Sequence, residues 1–354
     1  MYTARHLNGE VVAAMNLIRF IRMSEALSRR GHDVHLVVNG SIAGLLAADG
    51  LREVHPRAVR WDDYDVVKTF FHGGFATLET WGGTDHPFII SNLGSVVGDT
   101  DEEGVYFYHE VRDTLWRVQQ RIAETSRVIS LLTERNAALF SRMHGTAGTR
   151  VFVPGGVDAV VPDRDANPYE RLGIDGPVAL FAGNIYTRDK QPEVNLFWQA
   201  RLNGLGRALT RRGVRLVAMG VGEVDLLDPS AVTHVGLVDF REVWNWQWHA
   251  AVGIVLAQGA VQDNESTKIY YYLRTGLPVA CEAPVPNAGL VAETGHGIVV
   301  GYNPDTLDDL ADAAAALAHR PPAPGDVMRH MVTHHSWDVR ASVYADVLAA
   351  AGRD

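Results

Sequence analysis

A single cysteine, Cys281, in 354 residues rules out an internal disulfide framework and any zinc site built from several thiolates. No apolar run reaches the roughly 18–20 residues that a membrane span needs. The nearest, residues 11–21, is interrupted by Asn16 and Arg19. The N-terminus has none of the charged start, apolar stretch and small-residue cleavage site of a signal peptide, so the expected compartment is the cytoplasm. Positive charge is scarce. The 32 Lys and Arg residues against 42 Asp and Glu leave a formal charge of −10, the wrong sign for a general nucleic-acid binder. Short repeats and low-complexity tracts are lacking too, and the alanine run 311–318 reads simply as good helix. What is present, 47% hydrophobic and 21% charged residues, is an ordinary globular mix. The length suits two α/β domains of about 150–180 residues each.

Short apolar runs alternate with helical patterns along both halves, the signature of βα units feeding parallel sheets. In the first half the strand candidates are 34–38, 65–69, 88–91, 128–131 and 151–153. Leu17, Phe20, Ile21 and Leu27 recur at helix spacing before Gly31 stops the helix, and a longer helix is expected over 104–125. A doubly wound domain normally opens on a buried strand. Here only eight residues precede Gly9, and none of the first six is a strongly strand-forming aliphatic. The polar stretch 162–168, with its prolines and aspartates, reads as a linker. Strands are then expected at 178–181, 215–219, 234–235, 253–256, 277–281 and 298–300. Helices fit between them, and a last one over about 338–351 places Trp337, Ala341, Tyr344, Val347 and Leu348 on one stripe.

Three local features invite a functional reading beside a plainer one. Arg19, Arg22, Arg29 and Arg30 cluster on the first helix; a solvated face is the plainer reading, a patch for anionic headgroups or an acidic acceptor the sharper one. Asp99-Thr100-Asp101 has the spacing of a metal-binding Asp-x-Asp, but within the run Asp99–Glu103 it reads as a solvated acidic loop. Trp244, Trp246 and Trp248 offer stacking surfaces, although packing of a short helix accounts for them as well.

The most informative segment is 263–279. An acidic loop through Asp263 and Glu265 leads into a helix with Ser266 or Thr267 as N-cap. Lys268 lies in the first turn, where a cation opposes the helix dipole. A bound phosphate would reverse that cost, because the free N–H groups of a helix start favour an anion. Gly276 ends the helix and Leu277-Pro278-Val279 opens a buried strand.

This segment, with Thr275-Gly276-Leu277-Pro278-Val279 as its helix stop and strand entry, resembles the donor-site motif of GT-B glycosyltransferases, in particular the retaining enzymes of glycosyltransferase family 4. Pro154-Gly155-Gly156-Val157-Asp158 is similar to the family's Pro-Asn-Gly-Val-Asp element. Phe181-Ala182-Gly183-Asn184, followed by Arg188 and Lys190, resembles the first strand and glycine turn of the donor domain. Val217–Gly222 and His234–Val238 resemble the next strand and turn and the loop that reads the base, and Ser336-Trp337 resembles the head of the final helix. The match is good over 150–340 and weak before it.

The resemblance implies a fold of two Rossmann-like doubly wound domains facing across a cleft. An acceptor-binding domain would span 1–161, a donor-binding domain 169–335, with helix 338–354 crossing back to the first. It implies transfer of a sugar from a nucleoside-diphosphate sugar, UDP-linked by preference, to a hydroxyl on a small metabolite, polysaccharide or lipid-linked sugar. Retention of configuration is expected, without metal or cofactor and with at most peripheral membrane contact. A sugar-nucleotide epimerase and a non-catalytic nucleotide-sugar-binding relative share the architecture. The implied donor residues are Gly9, Gly183, Asn184, Arg188, Lys190, Val238, Ser266, Thr267, Lys268 and Tyr271. Asp263 and Glu265 would position sugar hydroxyls, His72 would orient donor or acceptor, and Asn92 and His109 would meet the acceptor. The chain departs from the family at Tyr271, where a ribose-binding glutamate is usual, and at Asn184, where an arginine is usual; Lys190 is displaced by one position and Arg188 substitutes.

Overall fold

The computed structural model describes residues 5–7, 10–12, 15–38, 51–98, 112–145, 148–188, 192–260, 262–321 and 323–351. The chain divides into two compact units, one of residues 1–158 with 335–354 and one of residues 159–334. The stretch 162–168 belongs to the second unit. Asp165 N–H donates to Asn245 Oδ1 at 3.0 Å, and Asn245 Nδ2 donates to the Ala166 carbonyl at 2.7 Å.

In the first unit the chain opens on β1 (Arg5–Leu7) and β2 (Glu10–Val12), which pair antiparallel as a hairpin. No buried parallel strand precedes α1 (Met15–Arg29) among the described residues. After α1, β3 (His35–Val37) and β4 (Arg52–Val54) pair parallel as a separate two-stranded sheet. Then β5 (Val67–Phe70), α2 (Phe71–Thr80), β6 (Ile89–Asn92), α3 (Arg112–Thr125), β7 (Val128–Leu131), α4 (Glu134–His144) and β8 (Thr149–Phe152) alternate, and the four strands form one parallel sheet in chain order. Sequence pattern gave no sign of α2, because Gly73-Gly74 lies in its first half and glycine disfavours helix. Burial of Phe75 and Leu78 overrides that preference.

The arginines at positions 19, 22, 29 and 30 do not share one face: Arg29 and Arg30 are exposed at the end of α1, while Arg19 and Arg22 turn inward. Arg19 is buried and donates to the carbonyls of Val153 and Pro154. Arg22 pairs with Glu25 and with Asp158 at 2.9 Å, and Arg29 with Asp338 at 3.0 Å. Spending these charges inside the unit ties α1 to the chain on either side of the second unit.

The second unit is a six-stranded, wholly parallel sheet of β9 (Val178–Ala182), β10 (Arg215–Met219), β11 (Val232–His234), β12 (Val252–Val255), β13 (Val279–Glu282) and β14 (Gly297–Val300), in the order β11-β10-β9-β12-β13-β14. Its core strands read as continuous apolar runs because α5 (Pro192–Thr210), α6 (Val243–His249), α7 (Thr267–Arg274), α8 (Ala288–Thr294) and α9 (Asp308–His319) cover the sheet. The helix α10 (Val327–His335) follows. The three tryptophans of α6 pack: Trp244 lies 5.1 Å from the Tyr271 ring, Trp246 5.2 Å from the Tyr169 ring, and Trp248 Nε1 donates to the Pro162 carbonyl.

The chain then returns to the first unit as α11 (Trp337–Ser342) and α12 (Ala345–Ala351), two helices where the stripe predicts one. The break buries Tyr344, whose hydroxyl bonds Ser130 Oγ on β7 at 2.9 Å, and Trp337 and Ala341 join the same core. No helix among the described residues is long and apolar enough to cross a membrane.

Candidate functional site

The strand order of the second unit reverses between β9 and β12. In a doubly wound sheet that is where the two following connections leave in opposite directions and open a crevice at the carboxyl ends of the strands. Gly183 follows β9 directly, and the loop 256–266 follows β12 and ends at the start of α7. Neighbouring strands end on glycines as well. Gly183 N–H donates to the Met219 carbonyl and Gly220 N–H to the Gly236 carbonyl, each at 2.8 Å. Gly220 sits at φ +143°, and a Cβ there would lie 2.0 Å from the Gly183 carbonyl oxygen. Only glycine permits so close an approach of two backbones.

Lys268 lies over this turn. A Cβ on Gly183 would fall 2.8 Å from Lys268 Cε and 3.0 Å from Nζ, so the missing side chain is what makes room for the lysine. The ammonium sits 5.2 Å from the Phe181 ring centroid and has no carboxylate partner among the described residues. Burial lowers its pKa to about 8. Beside it, Ser266 occupies the N-cap of α7 without making the capping bond, and its buried Oγ has no partner among the described residues. A cation without a counter-ion and a helix start without its cap meet at one place, an arrangement that favours an anion.

What aims Lys268 lies one turn further along α7. Tyr272 shares its face at i+4 and is fully buried. Its hydroxyl accepts from Ala182 N–H at 3.0 Å and donates to the Leu180 carbonyl at 3.1 Å, fastening α7 to β9. The ring lies over Gly253 of β12, where a Cβ would fall 2.3 Å from it. Burial raises the phenol's pKa, so the hydroxyl stays protonated and can donate. Tyr272→Phe should therefore cost about 1–3 kcal/mol, since it strands a buried acceptor and donor. Urea titration of the variant would read that loss as a lowered midpoint.

The loop before α7 is pinned at both ends. Glu282 Oε2 accepts from Ala257 N–H at 2.7 Å, while its Oε1 meets Arg201 at 2.5 Å; both side chains are buried. At the other end Asn287 clasps the backbone of Ser266, Oδ1 accepting from N–H and Nδ2 donating to the carbonyl, at 2.8 and 2.9 Å. Tyr272, Gly253, Arg201, Glu282 and Asn287 carry no motif. The one available signal is a charged residue, Glu282, ending an apolar strand.

The structure brings together Gly183, Ser266, Thr267 and Lys268. Asp263 is buried in the same loop, and Glu265 Oε2 accepts from the Tyr270 hydroxyl at 2.8 Å. Arg188 is engaged elsewhere, with Glu223 at 2.9 Å and Asp225 at 2.8 Å, so meeting a diphosphate would require it to exchange partners. Tyr271, at the position where the resemblance suggests a ribose contact, is buried with its ring 5.1 Å from that of Trp244. Asn184 follows the turn at the end of β9, and Val238 is half-buried in the loop after β11.

In the first unit, His72 opens α2 rather than a loop. It is buried and bonds Gln119 Oε1 at 3.0 Å; that oxygen also accepts Val97 N–H, so His72 Nε2 is the donor. Burial lowers its pKa, which keeps the ring neutral. Phe71 just before it sits at φ 57°, a left-handed conformation rare for a bulky residue. Asn92 Nδ2 donates to Ser130 Oγ at 2.8 Å inside the sheet, and its buried Oδ1 has no partner among the described residues. Gly9, His109, Lys190 and the run 99–103 lie outside the described residues.

No family model and no curated protein matches the sequence. Solved structures do match. Anabaena HepE in complex with UDP-glucose aligns with a TM-score of 0.69 at 12% identity, over 96% of this chain and 97% of that one. Sucrose-phosphate synthase from Thermosynechococcus elongatus gives 0.65 at 15% identity, over 96% and 94%. WaaG, a glycosyltransferase involved in lipopolysaccharide biosynthesis, gives 0.58 at 16%, over 94% and 92%. The chain has the GT-B fold of these glycosyltransferases.

Proposed function

We propose that the protein is a glycosyltransferase whose second unit binds a nucleoside-diphosphate sugar, UDP-linked by preference, at the switch between β9 and β12. The observation that carries this reading is Lys268, an ammonium with no carboxylate partner among the described residues, held over the Gly183 turn beside the uncapped start of α7. HepE, similar in fold, was solved with UDP-glucose.

In this reading the diphosphate lies against Lys268 and the first-turn N–H groups of α7. As the nucleoside diphosphate departs, charge grows on its oxygens, and donors already in place stabilise it without reorganising. The anomeric carbon becomes oxocarbenium-like and an acceptor hydroxyl attacks it, its proton passing to the oxygen of the departing diphosphate, with retention of configuration and without a metal on the diphosphate. Asp263 and Glu265 position sugar hydroxyls, the latter on releasing Tyr270. Acceptor recognition falls to the first unit, where neutral His72 keeps Nδ1 as an acceptor for a sugar hydroxyl.

A thermal-shift panel with UDP, GDP, dTDP, ADP and their sugar conjugates tests the reading. At 100 times its dissociation constant a ligand stabilises by about 2.7 kcal/mol, so UDP should raise the melting temperature clearly. No rise with any nucleotide would remove the basis for a donor site, and a rise without turnover of any sugar conjugate would point to a binding protein.

A further inference from the structure

Thr133 before α4 and Ser336 before α11 cap their helices in the ordinary way. Each accepts from the backbone N–H three residues on, that of Asn136 and that of Val339, and their ψ angles are 156° and 159°. Ser266 before α7 sits at ψ 114° and makes no such bond. The peptide that follows it is turned away from the orientation the other two share.

Asn287 does the turning. Its Oδ1 accepts from the Ser266 N–H and its Nδ2 donates to the Ser266 carbonyl. The second bond sets ψ, because ψ is the rotation that swings the carbonyl. Asn287 is itself the N-cap of α8 and makes no capping bond there, although asparagine is among the residues that cap best. Its carboxamide is spent on Ser266 instead.

That grip keeps the start of α7 open. The N–H groups of Thr267 and Lys268 have no partner among the described residues, and that of Ile269 reaches only the Ser266 carbonyl, at 3.3 Å. In the ordinary cap the Ser266 hydroxyl would accept from Lys268 or Ile269 N–H. Its oxygen would then stand where a phosphate oxygen can bind. Leaving the cap unmade costs the empty protein stability, and a bound anion supplies what the cap would have given.

We propose that Asn287 is a positioning residue for the donor, holding Ser266 away from α7 so that the diphosphate takes the first-turn N–H groups. This role rests on the donor-site reading and extends it to a residue of α8 that no motif marks.

Four forms of the full chain test it: wild type, Asn287→Ala, Ser266→Ala and the double variant, each melted without ligand and titrated with UDP. In the wild type the hydroxyl caps nothing, so Ser266→Ala should not lower the melting temperature. In Asn287→Ala the serine is free to cap, and removing it there should lower the melting temperature by roughly 2–4 °C, the worth of one cap in a unit of this size. Asn287→Asp keeps the acceptor but cannot hold the carbonyl, and should show the same dependence on Ser266. Asn287→Ala should bind UDP about 10-fold or more weakly, as when a hydrogen bond to a charged group is lost. The double variant, with no oxygen left to cap, should regain much of that loss. An asparagine with a merely structural role would leave the two substitutions additive in both readouts.

An equal melting cost of Ser266→Ala in both backgrounds would overturn the proposal, and so would UDP binding that Asn287→Ala leaves unchanged. A wild type that neither UDP nor another nucleoside diphosphate stabilises would instead remove the donor-site reading. The melting comparison needs no nucleotide and would still decide whether Asn287 keeps Ser266 from capping.

Discussion

Replacing Lys268 by alanine should lower the rate of sugar transfer at least about 10-fold, a loss on the order of 1.4 kcal/mol or more in transition-state stabilisation. Among the described residues the ammonium is the one cation over the Gly183 turn without a carboxylate partner, and the diphosphate takes on a further negative charge as it leaves. The effect should fall on kcat more than on binding, because a donor that meets developing charge acts chiefly in the transition state. A pH profile separates charge from shape. With its pKa lowered to about 8, Lys268 is charged below that value and neutral above it while the site is empty. Affinity for UDP should thus decline as pH rises through about 8. In Lys268→Arg, where the cation persists, the decline should vanish. Full activity in the alanine variant would remove the phosphate role assigned to this residue.

The largest expected loss of stability is at Arg201. Arg201→Met removes the partner of a carboxylate that is almost wholly out of water, which costs about 3–5 kcal/mol because the remaining charge is buried and uncompensated. The sign of its pH dependence follows from Glu282. Burial already raises that carboxyl above the ordinary 4.5, and the arginine opposes the rise. Without Arg201 the folded-state pKa climbs further, so the folded protein holds a proton that the unfolded chain releases above about 4.5. Stability of the variant then falls as pH rises from there toward the folded value. Chemical denaturation at mildly acidic and at neutral pH should show a smaller deficit at the acidic end. A deficit that is the same at both, or larger in acid, would contradict this account of the pair. Since Glu282 also holds Ala257 N–H, the variant should bind nucleotide less well even where it remains folded.

Much of the second unit was legible because its strands are covered on both faces and so read as unbroken apolar runs; Val178–Ala182, Arg215–Met219 and Val252–Val255 stand where the pattern puts them, within a residue or two. The first unit was harder for the same physical reason in reverse. Its β4, Arg-Glu-Val, has no apolar run to show, and α2 hides behind two glycines until Phe75 and Leu78 are seen to be buried. Arginines that look like a solvated face on a helical wheel are spent on carbonyls and carboxylates far along the chain, a destination that local spacing does not encode.

At the candidate site the division is similar. Gly183, Ser266 and Lys268 could be named from the sequence, since a glycine turn after an apolar strand and a lysine at a helix start have local physical meaning. Arg188 and Glu265 could be named too, but only the folded chain shows that Glu223 and Asp225 hold the one and Tyr270 the other. Tyr271 and Tyr272 are neighbours of one residue type, yet one packs on Trp244 and the other fastens α7 to β9 through Gly253, which lies 19 positions away. The sequence by itself determined the βα alternation, the anionic character and the glycine and lysine positions, because each depends on neighbours along the chain. Which charges stay available to a ligand was decided by tertiary structure alone, because that depends on partners that only folding brings within bonding distance.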